Sequence, residues 1–499
     1  MSSVLVVDTG SSSMRGILFD ECGNMRFTEQ LQYRMRTEGN AAEYDPQDFQ
    51  HCLTAICHTC ADWAKDHGVF IEAISFTSQR SSILPVDRSG APLGPIITWY
   101  DKRSAVICAN MNTQFGKRLY SLSGMKATPV LSAPKISWLK QKKPDIYQAS
   151  YKIIGIQDYL IFLCTGRFVT DTSLASRTHL MNIKTRRWDE ELMALYCVDP
   201  GKLAELVPPC SIVGRTHAAF FKETGIAEGT PVIAGGGDQQ CSVLGQGLLK
   251  PGAVGLTCGS GAYLAAVVDE PLMDEQMRVN VNAAVSPGQW VIEASTLSSG
   301  TVQDWLNRLL YTDVKNQSYP LECLQSEAAA SPAGAKGLIM LPDLAGKGCP
   351  DWNDYARGAF LNVSFAHTRG DFARAMLEGL AAEIAECYAV LHTLMPQIST
   401  VSVTGGVTKS SLFNQIVSDM IDFSIKQCNN KETTAIGAYL AAEFALGKYS
   451  TLEAAFAALP STGEGLRYTP SRQAADLYKE INHTRRSIYD ALAACQHKE

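Results

Sequence analysis

The sequence predicts an α/β protein made of two related lobes. Three observations carry that prediction. Strand-like apolar runs and helical periodicities are mixed along all 499 residues, and no Pro-rich or low-complexity linker interrupts them. The opening stretch VLVVDTGSSSMRGILFDECG, residues 4–23, reads as a strand, a tip of small residues and a second strand. The stretch AVGLTCGSGAYLAAVVD, residues 253–269, repeats that plan about half the chain later, with Gly259-Ser260-Gly261 at its tip. If the two lobes face each other, both tips point into one cleft. The boundary is expected near residues 245–255, giving domains of 1–248 and 249–499.

Strands are expected at 4–7, 14–19, 71–76, 231–234, 253–257, 262–268, 337–341 and 399–403. Helices are expected at 47–66, 102–115, 134–141, 156–164, 300–310, 371–394, 411–422 and 433–446. The first begins after Asp45-Pro46 and keeps Phe49, Leu53, Ile56, Cys60 and Trp63 in register. The 371–394 helix gathers Phe372, Met376, Leu380, Ile384, Tyr388 and Leu391 on one face, with Asp371 placed to cap it.

The net charge of -6 comes with no basic block, so neither nucleic acid nor a membrane surface is an expected partner. No apolar run reaches the ~18 residues of a membrane span. The longest candidate, Gly379 to Met395, carries Glu383 and Glu386. The N-terminus runs straight into a strand, without a basic n-region or cleavage site. The 15 cysteines are scattered singly through apolar segments, as buried thiols in a reducing compartment would be. A cytoplasmic location is expected. One cluster, QHCLTAICHTC, holds Cys57-x-x-Cys60, but no second pair follows at zinc-site spacing. Its helical pattern favours packing over a metal or redox site.

Three segments carry chemistry. Asp8 ends the first strand, and Thr9-Gly10-Ser11-Ser12-Ser13 forms the tip. Glycine permits close backbone approach, and amides and hydroxyls in a tight turn make a concavity suited to phosphate. A carboxylate beside it suits magnesium, which keeps waters and borrows phosphate oxygens. Neither GxxxxGK[ST] nor a strand-to-helix GxGxxG occurs, and an ordinary Ser-rich turn is the alternative. In TPVIAGGGDQQCSVLGQG, residues 230–247, a strand ends in three glycines and delivers Asp238. So bare a loop places the carboxylate to take a proton from a hydroxyl as that oxygen attacks phosphorus. A cap on the helix from Gln239 onward is the alternative, although a cap needs no glycine triplet. In VTGGVTKSSLFNQIVSDMI, residues 403–421, a strand meets Gly405-Gly406 and a helix begins near Ser410 or Ser411. That is either a nucleotide-contacting helix N-terminus or a plain capped connection.

In this order, the segments resemble the FGGY family of carbohydrate kinases along essentially the whole chain. Pro134-Lys135-Ile136-Ser137-Trp138-Leu139 looks like the family's first signature. Gly405-Gly406-Val407-Thr408-Lys409-Ser410, through Asn414-Gln415 to Asp419, looks like its second. The resemblance implies a two-lobed actin-like, ribonuclease-H-like ATPase fold with an interdomain cleft. It implies a sugar-binding N-terminal lobe with the catalytic Asp, and a nucleotide-binding C-terminal lobe. It implies ATP and Mg²⁺, and transfer of the γ-phosphoryl group to a sugar or polyol hydroxyl. Residue by residue, it implies Asp238 as the base and Asp8 near magnesium. It places Ser11, Ser12, Ser13 and Arg15 at the phosphates, and Ser260, Gly300, Gly406 and Ser410 around the nucleotide. Asp304 stands where glycerol kinases carry a nucleotide-contacting Gln. The expected partners are ATP and a small sugar or polyol; a homodimer is left open.

Residues 77–104 and 170–192 look most like the glycerol-kinase branch, and Gln79-Arg80 replaces the Met-His pair typical of xylulokinases. The expected pocket is Gln79, Arg80, Ser81, Trp99, Asp101 and Gln239, with core packing as the alternative for Trp99. Ser81 stands where glycerol kinases have an acidic residue, and Val130 where they have an aromatic one. The first change removes a strong hydroxyl acceptor and the second widens the pocket. A longer substrate, such as a pentulose or tetritol, is therefore expected. The alternatives are a glycerol kinase proper, a catalytically weak sugar-binding regulator, and an actin- or chaperone-type ATPase in which residues 77–104 would have no role.

Overall fold

The computed structural model describes residues 2–312, 319–430, 432–460 and 465–496. Strands β1 (Ser2–Thr9), β2 (Ser13–Asp20) and β3 (Met25–Gln32) form an antiparallel meander. On the other side of β1 lies β4 (Phe70–Ser78), parallel to it. Beyond it, β6 (Pro231–Gly237) runs parallel to β4, and β5 (Ser211–Arg215) closes the edge antiparallel to β6. The order is β5-β6-β4-β1-β2-β3.

The second sheet repeats this plan. Here β7 (Ala253–Cys258), β8 (Ala262–Val268) and β10 (Trp290–Thr296) form the meander, and β9 (Asn280–Ala283) extends its outer edge. On the other side, β11 (Thr400–Gly405) is parallel to β7 and β12 (Ile425–Gln427) to β11, while β13 (Arg467–Tyr468) is antiparallel to β12. Apart from β9, the two sheets match strand for strand in direction and in the order of their first four strands, but the outer pair is visited in opposite order: the edge strand β5 precedes β6, whereas the edge strand β13 follows β12. The echo between the two hairpins thus extends to both whole sheets.

The expected helices form, with some ends displaced. α1 (Pro46–Asp66) has Pro46 at its first position and Asp45 as its cap, accepting from Gln47 N at 3.0 Å. It buries Phe49, Leu53, Ile56 and Cys60 against the first sheet. Cys57 and Cys60 are packed in that core, and burial pushes the Cys60 thiol up to about 12. α2 (Ala105–Ser123) runs two turns further than expected, to an αL cap at Gly124. α3 (Ser132–Lys142), α4 (Ile156–Thr165), α5 (Asp238–Gly245) and α6 (Gly300–Leu310) follow. α7 (Arg369–Leu394) starts two residues early, and its cap is Thr368 rather than Asp371. Asp371 instead closes a capping box by accepting from Thr368 N at 2.8 Å. Strand 337–341 begins only at Ile339, because Ala335–Gly337 forms a 3-10 turn.

α8 (Ser411–Ile421), α9 (Thr433–Ala445) and α10 (Arg472–Gln496) complete the helices that matter here. α9 lies in sequence between β12 and β13 of the second sheet yet packs on the first. Ala435, Ala438 and Tyr439 join Val4, Val6, Phe19 and Ile233 in one cluster, and Ser75 Oγ donates to Ala438 O at 2.7 Å. Beside it α9 crosses α5. The lobes also meet where Ala175, Met181 and Ile183 pack on Val281 and Ala283. Among the described residues no helix is long and apolar enough to cross a membrane.

Candidate active site

Register fixes where the site lies. Thr9 on β1 stands opposite Ser78 on β4, and Ser78 opposite Gly237 on β6. The next residues, Gly10, Gln79-Arg80 and Asp238, therefore emerge side by side from the carboxyl ends of three adjacent parallel strands, the usual place for a ligand in such a sheet. In the second sheet Cys258 on β7 stands opposite Gly405 on β11, so Gly259-Ser260-Gly261 and Gly406 emerge together.

The first tip is tightly braced. The Tyr33 hydroxyl bonds the Gly10 carbonyl, Tyr44 donates to Ser11 O at 2.6 Å, and Gln79 Nε2 donates to Gly10 O at 2.8 Å. Gln79 is buried and holds the tip. Ser12 remains exposed at its apex, with Ser11 and Ser13 half-buried beside it. At its base, Arg15 Nη2 is 2.5 Å from Asp8 Oδ2, and Arg15 Nη1 is 2.6 Å from Glu432 Oε2. Burial pushes the Asp8 carboxyl up and Arg15 only partly offsets it.

The three glycines before Asp238 have separate steric reasons. A Cβ at Gly235 would fall 2.6 Å from Phe76 O, and Gly236 has φ +119. A Cβ at Gly237 would fall 2.7 Å from Gln240 Oε1 and 3.0 Å from Arg80 Cδ. Gly237 thus makes room for the Arg80 side chain at the start of α5. Asp238 is the first residue of α5, and its Oδ1 accepts from Gln239 N at 2.7 Å. Its side chain is still 26% accessible, with Arg80 Nε 3.5 Å from Oδ1. Burial pushes the Asp238 carboxyl up to about 6, against the pull of Arg80. The other end of Arg80 reaches the second lobe, where Nη1 lies 3.0 Å from Glu293 Oε2. Burial raises Glu293 too, but Arg80 and Arg177 outweigh it and hold the carboxyl below its usual value.

At the second hairpin, Ser299 N donates to Ser260 O at 2.7 Å and Gly300 N to Gly259 O at 2.9 Å. A Cβ at Gly300 would lie 2.7 Å from Gly259 O. Gly405 has φ +109 and leaves no room for a side chain, whereas a Cβ at Gly259 or Gly406 would meet nothing within 4 Å. Open space therefore lies beside both tips. Ser410 is the buried cap of α8, accepting from Phe413 N at 3.3 Å, and Asp304 is exposed.

The remaining pocket residues separate. Ser81, buried and with φ 70, bonds the Arg177 carbonyl at 3.3 Å. Trp99 is half-buried and stacks on Tyr100 with centroids 3.8 Å apart, and Gln239 is half-buried beside Asp238. Asp101 is occupied elsewhere: it accepts from Ala42 N at 3.0 Å and Arg103 Nε at 2.8 Å. Val130 belongs to a loop whose carbonyls receive the buried ammonium of Lys135, with Val130 O at 2.5 Å. Burial lowers that lysine to about 7. Sequence reasoning missed Arg177, Glu293 and Glu432. The signal for Glu293 was a lone charged residue in the strand-like run WVIEAST.

Two hairpins on two lobes of similar plan, with Asp238 at the end of a neighbouring parallel strand, give the architecture of the two-lobed, actin-like class. The sequence model of the FGGY family of carbohydrate kinases, N-terminal domain, matches residues 3–245, and that of the C-terminal domain matches 254–446. The chain belongs to this family and is a carbohydrate kinase. It is 29% identical to a gluconokinase of Bacillus subtilis over 489 residues, 96% of this chain and 94% of that one. It is 30% identical to a glycerol kinase of Trichlorobacter lovleyi over 460 residues, 90% of each. Its structure is similar to that of a xylulose kinase from Lactobacillus acidophilus, with TM-score 0.93, 26% identity and 100% of both chains covered.

Proposed function

We propose that the protein phosphorylates a hydroxyl of a sugar or polyol of about four to six carbons, with Asp238 as general base. The observation that carries this reading is the Arg80–Asp238 pair at the ends of β4 and β6, beside the Asp8 hairpin. Bound Mg-ATP supplies the phosphoryl group and neutralises its charge. The residues fit both groups. The open space at Gly259 and Gly406 suits a nucleotide. Asp8, whose Oδ2 meets Arg15, would hold magnesium together with water and phosphate oxygens.

Asp238, whose side chain is 26% accessible, accepts the hydroxyl proton as the substrate oxygen turns nucleophile. Arg80, Trp99 and Gln239 line the approach, Arg80 as a donor to substrate hydroxyls. Ser11, Ser12, Ser13 and Arg15 serve the phosphates, with Ser260, Gly300 and Gly406 on the nucleotide side. The chain divides into lobes near residue 248, and ten buried thiols among fifteen cysteines suit a cytoplasmic enzyme.

What supports the longer substrate is the resemblance: Ser81 and Val130 take positions at which glycerol kinases carry an acidic and an aromatic residue. The test is ATP consumption across tetritols, pentitols, ketopentoses, hexoses, aldonates and glycerol. A four- to six-carbon compound is expected to give the highest kcat/KM. Glycerol turned over faster than every longer compound would overturn the substrate class.

A further inference from the structure

Glu293 sits on β10 of the second lobe, yet both its carboxylate oxygens serve the first. Oε2 is 3.0 Å from Arg80 Nη1, and Oε1 is 3.8 Å from Arg177 Nη1. The pair is closed off from water, with side chains 9% accessible for Arg80 and 4% for Glu293. Arg80 is held at two further points. Gln240 Oε1 accepts from Nη1 at 3.3 Å, and Nε faces Asp238 Oδ1 at 3.5 Å. The absence of a Cβ at Gly237 lets the Arg80 stem lie against the start of α5.

We propose that Glu293 is a positioning residue for phosphoryl transfer: from the second lobe it fixes Arg80 beside Asp238, and it keeps the Asp238 carboxylate from being captured as Arg80's sole counter-ion. The inference rests on the reading of Asp238 as base. A buried ion pair costs more desolvation than well-packed apolar residues of the same size, so stability alone does not account for this carboxylate. Electrostatics gives it a task. Asp238 faces Arg80, Asp8, Glu293 and the Gln239 amide, with Arg177 and Tyr263 in the same buried group. Arg80 stabilises the Asp238 anion. Glu293 divides the attention of Arg80 and repels the Asp238 charge, so both effects make Asp238 a better proton acceptor.

The test is Glu293→Gln, read as kcat/KM for the best sugar against pH. With Glu293 neutral, Arg80 turns to Asp238 alone and the carboxylate is more stable. The acid limb is expected to move to lower pH by about half a unit or more, and kcat to fall about tenfold, with KM for ATP within about twofold. A folded Glu293→Gln protein whose limb stays at the wild-type pH overturns the proposal, whatever its kcat. If this variant does not fold, Glu293→Asp keeps the charge and withdraws it by one methylene. KM for the sugar is then expected to rise about threefold or more with the limb unmoved. Wild-type constants in Glu293→Asp overturn the proposal. Asp238→Asn separates the two readings: an acid limb that survives in it defeats the base assignment, whereas a limb lost there but unmoved in Glu293→Gln defeats only the role of Glu293.

Discussion

Gly245 on α5 and Gly437 on α9 stand where the two helices cross in near backbone contact. A Cβ at Gly245 would fall 1.9 Å from Thr433 O, and one at Gly437 would fall 1.9 Å from Cys241 O. Ser242 Oγ and Thr433 Oγ1 are 2.9 Å apart in the same crossing. Neither helix can accept a side chain there without separating from the other. Gly437→Ala is expected to cost about 1–3 kcal/mol of stability, read as a lower Tm. Because α5 begins at Asp238, kcat should fall in the same variant, and a normal kcat would show that the crossing does not position the base.

Asp238→Asn keeps the size of the side chain and its place at the start of α5 but cannot accept a proton. It should lower kcat by roughly 10²–10⁴. KM for ATP should stay nearly unchanged, since the hairpin tips and the Gly405-Gly406 turn lie on other strands. Steady-state kinetics with the best sugar reads both constants.

The Asp238 carboxyl, pushed up to about 6 by burial, sets a pH window. The base must be ionised, so kcat/KM should be flat well above that value and fall about tenfold per pH unit below it. Stability runs the other way. The folded state holds this proton more tightly than the unfolded chain, so the ionised group opposes folding at neutral pH, and that opposition begins to fade as pH falls through the folded value and is gone only below the ordinary carboxylate value of the unfolded chain. Asp238→Asn should therefore raise Tm at pH 8, by more than it does at pH 5.

Asp101 separates staple from pocket. Its carboxylate joins Ala42 N to the Arg103 side chain, which in turn meets Glu43 Oε1 at 2.6 Å. Asp101→Ala leaves the Ala42 amide without its acceptor and the Arg103 guanidinium with Glu43 alone, and should cost about 1–3 kcal/mol. At a temperature where the variant is folded, KM for the sugar should change less than about threefold. A large rise in KM with unchanged Tm would return Asp101 to the substrate.

The hairpins were legible because a short β-branched apolar run that breaks at small residues and then resumes can fold in few ways but a strand, a turn and a strand. Their repetition exposed the second sheet. α7 was equally plain, since Met376, Leu380 and Ile384 are all buried as its periodicity requires. The glycines before Asp238 singled out that residue as the candidate base, although their steric reasons involve Phe76 and Arg80, which no local pattern reveals. What stayed hidden depends on pairing across long sequence separations. Glu293 meets Arg80 from 213 residues away, and Glu432 meets Arg15 from 417. Asp101 looked like a pocket carboxylate until its partners were seen. β3 escaped notice because one of its faces is solvated and its polar residues blur the alternation.

The return of α9 to the first sheet bears on how the chain is made. A ribosome releases Val4, Val6, Ile17, Phe19, Ala73 and Ile233 long before Ala438 and Tyr439, which cover them, and Tyr439 finally stacks on Phe19 at 5.0 Å. Until then one flank of the nascent first sheet stays greasy and open, a natural target for chaperones. The halves are consequently not separable modules. A fragment ending at residue 248 would lack the lid over its own sheet, and a gene split there should give aggregation-prone product unless the 433–445 segment is supplied in trans.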